Sequence, residues 1–317
     1  MPDKIIAALP ALLRPLLEHK LPDWIEPRWW STPEQACQLA PGAEIAWLDM
    51  REKAAMDAAI TAARDIKWLN SFYTGVDSLP LALLHERSVV LTNGVGLNAI
   101  TIAEYVLMGM LTIAKGYRAI VRAQDQHQWL KEAPGKMELD GSKALLLGYG
   151  GIGSLIEQRL KAFGVSVTIA RRSPDPASGS LGPDQWRPQL GEFDWVIMTV
   201  PATPQTRHMI GRAELAAMKN TAVLINIARG SLIDQDALTE ALSQRTIGAA
   251  FLDVTDPEPL PPEHPLWQLD NAHITMHLSG LSQTKMMPRA AQRFLENLAR
   301  YRAGEPLQNQ VDLTLGY

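Results

Sequence analysis

Among 317 residues there is one cysteine, Cys37. An intramolecular disulfide is therefore excluded, a cysteine-based metal cluster would have a single ligand to draw on, and a reducing compartment fits the composition. Long apolar runs are missing as well. The opening from Met1 to Pro10 has too short an apolar stretch for a signal peptide, and longer stretches elsewhere are broken by charge, glycine or proline well before they could span a bilayer. The expectation is a cytoplasmic protein with no membrane partner and no metal.

Charge of one sign is not in excess. The 30 Lys and Arg face 34 Asp and Glu, a net charge of −4, which argues against nucleic-acid binding and against attraction to an anionic membrane. A small anionic ligand must then be met by local positive groups. With 46% hydrophobic and 20% charged residues the composition is neither disordered nor fibrous, and no internal repeat or low-complexity segment stands out. A chain of this length divides more readily into two lobes, with a cleft between them, than it forms one.

What is present is alternation. In the first hundred residues, short apolar runs at Ile5 to Leu9, Glu44 to Leu48, Lys67 to Asn70 and Val89 to Thr92 alternate with helix-like segments, the pattern of a parallel α/β layer. Thr74-Gly75-Val76-Asp77 and Asn93-Gly94-Val95-Gly96 follow two of these runs as loop signals, the second suited to a hinge or a tight turn. From Thr101 to about Arg122 the chain reads as one long helix opened by a capping box of Thr101 and Glu104. Its apolar face of Ile102, Val106, Met110 and Ile113 suits an intramolecular core or, alternatively, a subunit contact. A second and more regular series has strand candidates at Ala144 to Leu147, Val165 to Ala170, Trp195 to Thr199, Ala222 to Asn226, Gly248 to Leu252 and His273 to Thr275, which predicts a doubly wound parallel sheet. Ser282 to Arg302 carries Met286, Ala290, Phe294, Leu298 and Tyr301 near helical spacing, an amphipathic helix that packs on one lobe.

Gly148-Tyr149-Gly150-Gly151-Ile152-Gly153 follows a strand and opens a helix, the context in which a Gly-x-Gly-x-x-Gly run binds a dinucleotide. Gly148 permits the turn, Gly150 lets a pyrophosphate approach the backbone, Gly153 lets helix and strand lie close, and the helix N-terminus offers amides to the anion. The same trio also serves a bare strand-to-helix turn. At the end of the next strand stand Arg171, Arg172 and Ser173, where an NAD-specific protein has an acidic residue for the ribose hydroxyls. Guanidinium groups there suit a 2′-phosphate, so NADP(H) is the expected cofactor and NAD(H) the alternative; the other reading is a solvated basic loop.

Three further segments, Asn226 to Gly230, Asp253 to Pro259 and Thr275 to Gly280, each follow a strand candidate and hold polar groups suited to hydride chemistry on a 2-oxo acid. Arg229 can bind a carboxylate and polarise the neighbouring carbonyl, His277 can move the proton that accompanies the hydride, and Glu258 beside it would favour the imidazolium. Each alone has a duller explanation as core histidine, ion-pair partner or solvated turn. Their place at consecutive strand ends makes coincidence a poor account.

At these residues the sequence resembles the D-isomer-specific 2-hydroxyacid dehydrogenase family, which includes glyoxylate/hydroxypyruvate reductases and phosphoglycerate dehydrogenases. The resemblance runs over nearly the whole chain: Trp68 to Asp77, Ile102-Ala103-Glu104, the glycine turn, Val200 to Arg207, Asn226 to Gly230, Asp253 to Pro259, His277 to Gly280, and Leu295 to Leu307. It implies a Rossmann cofactor domain (101–282) inserted in a flavodoxin-like substrate domain made from both chain ends (1–100 and 283–317), with the active site in the cleft, and a homodimer. It also implies the catalytic set Arg229, Glu258 and His277, with the amides of Thr74 and Gly75 holding the substrate carboxylate. Asp253 is implied at the nicotinamide carboxamide, and Pro201, Thr206, Ile227 and Ser279 at further cofactor contacts. Arg171 departs from the acidic residue of the NAD-using members, and Met276 stands where proline is common. A small 2-oxo or 2-hydroxy acid is the implied substrate, with glyoxylate or hydroxypyruvate preferred. The competing expectation is a dinucleotide-sensing regulatory protein on the same fold. Trp129 and Trp267 are candidates either for a substrate pocket or for core.

Overall fold

Parallel strands covered on both faces by helices do not alternate apolar with polar side chains, because each face meets a packed layer. Most strands of this protein are accordingly continuous apolar runs. The computed structural model describes residues 4–76, 78–175, 177 and 179–314. Asp77, which closes the first loop signal, and the opening Met1 to Asp3 lie outside the described residues. Met1–Asn98 with Gln283–Tyr317 form one unit, and Ala99–Ser282 form the other.

The first unit runs through β1 (Ile5–Pro10), α1 (Arg14–Leu17), β2 (Ile25–Trp30), α2 (Pro33–Leu39), β3 (Ile45–Trp47), α3 (Lys53–Ala62), β4 (Trp68–Asn70), α4 (Leu81–Glu86) and β5 (Val90–Thr92). Its strands are parallel in the order β2-β1-β3-β4-β5, the flavodoxin-like order. The second contains α5 (Ala99–Ala114), α6 (Tyr117–Asp125), β6 (Lys143–Leu147), α7 (Gly151–Ala162), β7 (Ser166–Ala170), β8 (Trp195–Met198), α8 (Arg212–Ala217), β9 (Val223–Asn226), α9 (Gln235–Ser243), β10 (Ala249–Leu252) and β11 (Ala272–Ile274). Its sheet is parallel in the order β7-β6-β8-β9-β10-β11. Beyond β7, Leu181 forms a single parallel bridge to Ala170. Counted as a vestigial strand, it completes the Rossmann order 3-2-1-4-5-6 with one strand more at the far edge. The chain then returns to the first unit as α10 (Met286–Ala303). Both sheets are thus doubly wound and parallel, as the alternation in the sequence predicts.

Alternate residues of each strand feed opposite cores. In the Rossmann unit, Leu145, Leu147, Val196, Met198 and Leu224 pack with α8 and α9, while Leu146, Trp195, Ile197 and Ile225 pack with α5 and α7. The expected apolar face of α5 is part of this core, with Ile102, Val106 and Met110 buried and Ile113 half-buried. In the flavodoxin-like unit, Ala8, Leu48, Leu69 and Leu91 share one cluster with α2 and α3, and Leu9, Ile45, Trp47 and Trp68 share another with Phe294 and Leu298 of α10.

Two expectations change. The segment from Thr101 to Arg122 is two helices, α5 and α6, bent by 70°. Gly116 breaks it with a φ of 61°, and a Cβ there would lie 2.8 Å from Gly135 N, so the 134–135 backbone occupies the place of a continuing helix. Thr101 is inside α5 rather than its cap, and its hydroxyl donates to Ser282 O at 3.0 Å. Strand β2 has no counterpart among the sequence candidates because Glu26, Pro27 and Arg28 interrupt it; a sheet edge tolerates a proline and charges that an inner strand would not. Nor do Trp129 and Trp267 fill the core: they are 94% and 37% exposed, and the Trp267 indole donates to Pro261 O. Among the described residues no single helix is long and apolar enough to cross a membrane.

Phe294 is fully buried, with its ring 5.3 Å from that of Trp47 and 5.1 Å from that of Trp68. Phe294→Ala should therefore cost about 3–5 kcal/mol of stability. Urea unfolding of wild type and variant measures this, and a cost under about 1 kcal/mol would show that α10 is not a structural wall of its sheet.

Candidate active site

The glycine turn between β6 and α7 contains two kinds of glycine. Gly148 has a φ of 97°, and a Cβ on it would meet Thr199 Oγ1 at 2.8 Å and the Val200 backbone at 2.9 Å. A Cβ on Gly153 would lie 2.8 Å from Gly148 O. These two are required by the protein's own packing. Gly150 and Gly151, by contrast, would find nothing within 4 Å of an added Cβ, so their lack of a side chain keeps open space at the N-terminus of the twelve-residue α7. The first-turn amides, including those of Ile152 and Gly153, have no partners within the helix, and such an open cradle fits a pyrophosphate.

At the end of β7, the Arg171 amide donates to Leu181 O at 2.9 Å and Leu181 N donates to Ile169 O at 2.8 Å. Arg171 is half-buried, and Arg172 and Ser173 are exposed. A cavity of about 530 Å³ opens beside Arg171, bordered by Tyr149, Glu157, Lys161 and Thr168. Glu157, the nearest acidic group of α7, is engaged by Tyr149 Oη at 2.5 Å and Lys161 Nζ at 2.7 Å. In the loop after β8, the Thr206 hydroxyl donates to Pro201 O and accepts from Thr203 N, both at 2.8 Å. Thr206 thus fixes the loop that presents the exposed Pro201.

The loops after β9, β10 and β11 hold Arg229, Glu258 and His277. Asn226, fully buried, accepts from Ala228 N at 3.1 Å and donates to Arg229 O at 2.8 Å, which turns the chain immediately before Arg229. Ile227 is buried in the core beneath this turn. A Cβ on Gly230 would lie 2.0 Å from Thr255 O, so only glycine lets this loop rest on the next one. There Gln235 grips Asp256 from both sides, donating to its carbonyl at 2.7 Å and accepting from its amide at 2.9 Å.

Asp253, 2% exposed, holds the third loop. Its carboxylate accepts from Thr275 Oγ1 at 2.7 Å, Ser279 N at 3.2 Å and Ser279 Oγ, and its carbonyl accepts from His277 N at 2.5 Å. The backbone of Met276 and His277 is held at positive φ, 52° and 57°, a conformation rare for residues other than glycine. His277 Nδ1 comes to lie 2.8 Å from Glu258 Oε2, and Glu258 Oε1 accepts from Thr255 N at 3.1 Å.

Electrostatics follow from this pairing. The hydrogen bond from Glu258 raises the His277 pKa above its ordinary 6.5 against the effect of burial, and the charges of Glu258 and Asp253 add to the rise while Arg229 opposes it. Burial pushes the Glu258 carboxyl up, but the bond and charge of His277, the Thr255 amide and Arg229 together hold it below its ordinary value. The contact thus stabilises the fold below the ordinary imidazole value, a contribution lost as pH rises through the elevated one; for Glu258 it is present above the ordinary carboxyl value and lost as pH falls through the lowered one. A half-exposed imidazolium beside a carboxylate, with a guanidinium in the same electrostatic neighbourhood, can donate and recover a proton next to a bound anion.

Thr74 and Gly75 belong to the flavodoxin-like unit, at the carboxyl end of β4. The Thr74 hydroxyl donates to Gly94 O at 3.3 Å, and Asn93 Nδ2 donates to Thr74 O at 3.0 Å. A Cβ on Gly94 would lie 1.9 Å from Phe72 O, so Gly94 serves close packing, while Gly96, at a φ of 85°, makes the turn. The supporting side chains of Gln235 and Asn226 were not distinguishable in the sequence, since their partners are backbone atoms that leave no spacing signature.

Residues 107–279, more than half of the chain, match the profile described as D-isomer specific 2-hydroxyacid dehydrogenase, NAD binding domain. The chain belongs to this family. This dehydrogenase is 34% identical over 247 residues to the glyoxylate/hydroxypyruvate reductase B of Pectobacterium atrosepticum, covering 75% of the chain and 76% of that protein. A D-isomer specific 2-hydroxyacid dehydrogenase family protein from Aeromonas salmonicida superposes with a TM-score of 0.87 at 29% identity, over 98% of this chain and 99% of that one. A family member from Xanthobacter autotrophicus, solved in complex with NADPH and MES, superposes with a TM-score of 0.79 at 26% identity over 99% and 100%. The dehydrogenase spans about half the length of the D-3-phosphoglycerate dehydrogenases that it matches, 54% and 51% in two archaeal cases. Family membership makes it an oxidoreductase of small 2-oxo and 2-hydroxy acids with a nicotinamide dinucleotide as cofactor.

Gly150→Ala should leave the melting temperature unchanged yet weaken NADPH binding by roughly ten- to a hundredfold, as overpacking a contact does, whereas Gly148→Ala should destabilise the fold. Calorimetry and cofactor titration separate the two, and undiminished NADPH affinity in Gly150→Ala would mean that the open cradle is not the phosphate site. Glu258→Gln should lower the His277 pKa, because the raising bond and charge are both lost. NMR titration of the His277 ring reads this directly, and an unmoved midpoint would show that Glu258 does not set the protonation of His277.

Proposed function

We propose that this dehydrogenase is an NADP(H)-preferring reductase of small 2-oxo acids, of the glyoxylate/hydroxypyruvate type. The observation that carries the reading is the 2.8 Å contact of His277 with Glu258, in the same electrostatic neighbourhood as Arg229. Because Nδ1 faces Glu258, Nε2 is the nitrogen left to face a substrate oxygen. In reduction the imidazolium gives its Nε2 proton to the carbonyl oxygen, and the neutral ring keeps its Nδ1 proton on Glu258; in oxidation Nε2 takes the hydroxyl proton back. Arg229 binds the carboxylate and polarises the adjacent carbonyl; the amides of Thr74 and Gly75 are assigned to the substrate carboxylate by the family resemblance.

A nicotinamide dinucleotide, when bound, would supply or accept the hydride at the carbon that bears this oxygen. The residues that would hold it are those of the open turn, Gly150, Gly151 and Ile152, with Pro201, Thr206, Ile227 and Ser279 along its length. Asp253 has three of its roughly four acceptor positions engaged by Thr275 and Ser279, which leaves one for a carboxamide. Preference for NADP(H) is supported by Arg171, Arg172 and Ser173 at the end of β7, where an acidic side chain would repel a 2′-phosphate.

A screen of NADPH oxidation over glyoxylate, hydroxypyruvate, pyruvate and phenylpyruvate tests the substrate class; higher specificity constants for bulky aryl acids reject the small-acid assignment. Arg171→Asp should weaken NADPH binding by roughly ten- to a hundredfold, the worth of one charge-assisted hydrogen bond, and improve NADH binding relative to it. Equal wild-type dissociation constants for the two cofactors would reduce these arginines to a solvated basic turn.

A further inference from the structure

In the flavodoxin-like unit, the loop leaving β4 sorts its amides into two pairs. Asp49, just beyond β3, accepts at Oδ2 from Phe72 N and Trp47 Nε1 and at Oδ1 from Ser71 Oγ, each at 2.7 Å. Ser71 Oγ in turn accepts from Tyr73 N at 3.0 Å. The amides of Phe72 and Tyr73 are thereby drawn inward. Those of Thr74 and Gly75, next in the chain, have no partner among the described residues. The loop is clamped elsewhere as well: Tyr73 Oη donates to Met50 O at 3.3 Å, and Gly94 N donates to Tyr73 O at 2.7 Å.

We propose that Asp49 is the positioning residue for the substrate-carboxylate amides, fixing Thr74 and Gly75 through Ser71 and the Phe72 amide; this rests on the role assigned to those amides under the proposed function. A carboxylate is the group that can accept all three bonds, and an ionised acceptor binds its donors more strongly than a neutral one. Burial nevertheless raises the Asp49 pKa to about 6, against the pull of Phe72, Ser71 and Trp47. A raised carboxyl favours the fold in its protonated form, so stability falls as pH rises through that value. Tyr73 is the titratable group coupled to Asp49, raised by burial and then by the charge of that carboxylate, while Arg51 lowers Tyr73 in turn; beyond its three hydrogen-bond donors and burial, no other group among the described residues shifts Asp49. Protonation of Asp49 removes an acceptor and loosens the loop, so KM for the acid should climb as pH falls through about 6, while His277, raised above its ordinary value, stays protonated and kcat holds.

The test is steady-state reduction of glyoxylate by NADPH between about pH 5 and pH 8, with wild type and Asp49→Asn, alongside amide hydrogen exchange. The variant should show KM higher by about fivefold or more and flat with pH, kcat within about twofold, and faster exchange at Phe72 and Tyr73. A wild-type KM that is flat through pH 6, or a variant KM equal to or below wild type, overturns the proposal. Should wild type reduce no 2-oxo acid, the functional reading falls and with it the substrate role, and exchange alone decides the clamp: unaltered protection of Phe72 and Tyr73 in the variant overturns it. If Asp49→Asn does not fold, Ser71→Ala, which frees the Tyr73 amide alone, must show the same KM rise and faster exchange at Tyr73, and their absence overturns the proposal.

Discussion

A buried carboxyl group organises the candidate active site. Asp253 sits at the end of β10 with its carboxylate engaged by the side chain of Thr275 and by the side chain and backbone of Ser279, and these bonds offset the cost of removing a carboxylate from water. The loop that results holds Met276 and His277 in a left-handed backbone conformation, which a free peptide would leave within nanoseconds to microseconds. In that conformation the imidazole meets Glu258, whose own loop is held by Gln235 at Asp256 and whose carboxylate accepts from the Thr255 amide. The pair is thus set by groups outside it.

The same economy appears at the glycine turn. Gly148 and Gly153 are small because the protein is close to them, and Gly150 and Gly151 are small although the protein is not. The first pair is explained by folding. The second has no folding explanation, and the space it preserves is shaped for something that the chain itself does not provide.

Much of this was legible in the sequence, and the reasons differ by element. Strands β8, β9 and β10 are four-residue runs buried throughout, so composition alone marks them. Strand β2 carries charges and a proline on a sheet edge and reads as loop. The helix break at Gly116 depends on contact with Pro134 and Gly135, residues that no local pattern connects to it. Arg229, Glu258 and His277 were visible through their place after consecutive strands and through family resemblance. Asp49, Asn226 and Gln235 were not, because they act on main-chain atoms of other loops and their identities carry no spacing rule.

The chain leaves the flavodoxin-like unit at Asn98 and re-enters it at Gln283, and the side chains of these two residues are hydrogen-bonded at 2.7 Å. The whole Rossmann unit is therefore threaded between two adjacent points of its neighbour, and α10, which covers Trp47 and Trp68, is made only after all of it. A ribosome adding about 5–20 residues per second emits the two tryptophans many seconds before Phe294 exists to cover them. During that interval the first sheet is complete in strands but lacks α10 on one face, where Leu13 and Leu17 near the start of the chain already pack. The inserted unit, contiguous in sequence, has all its parts before its host does.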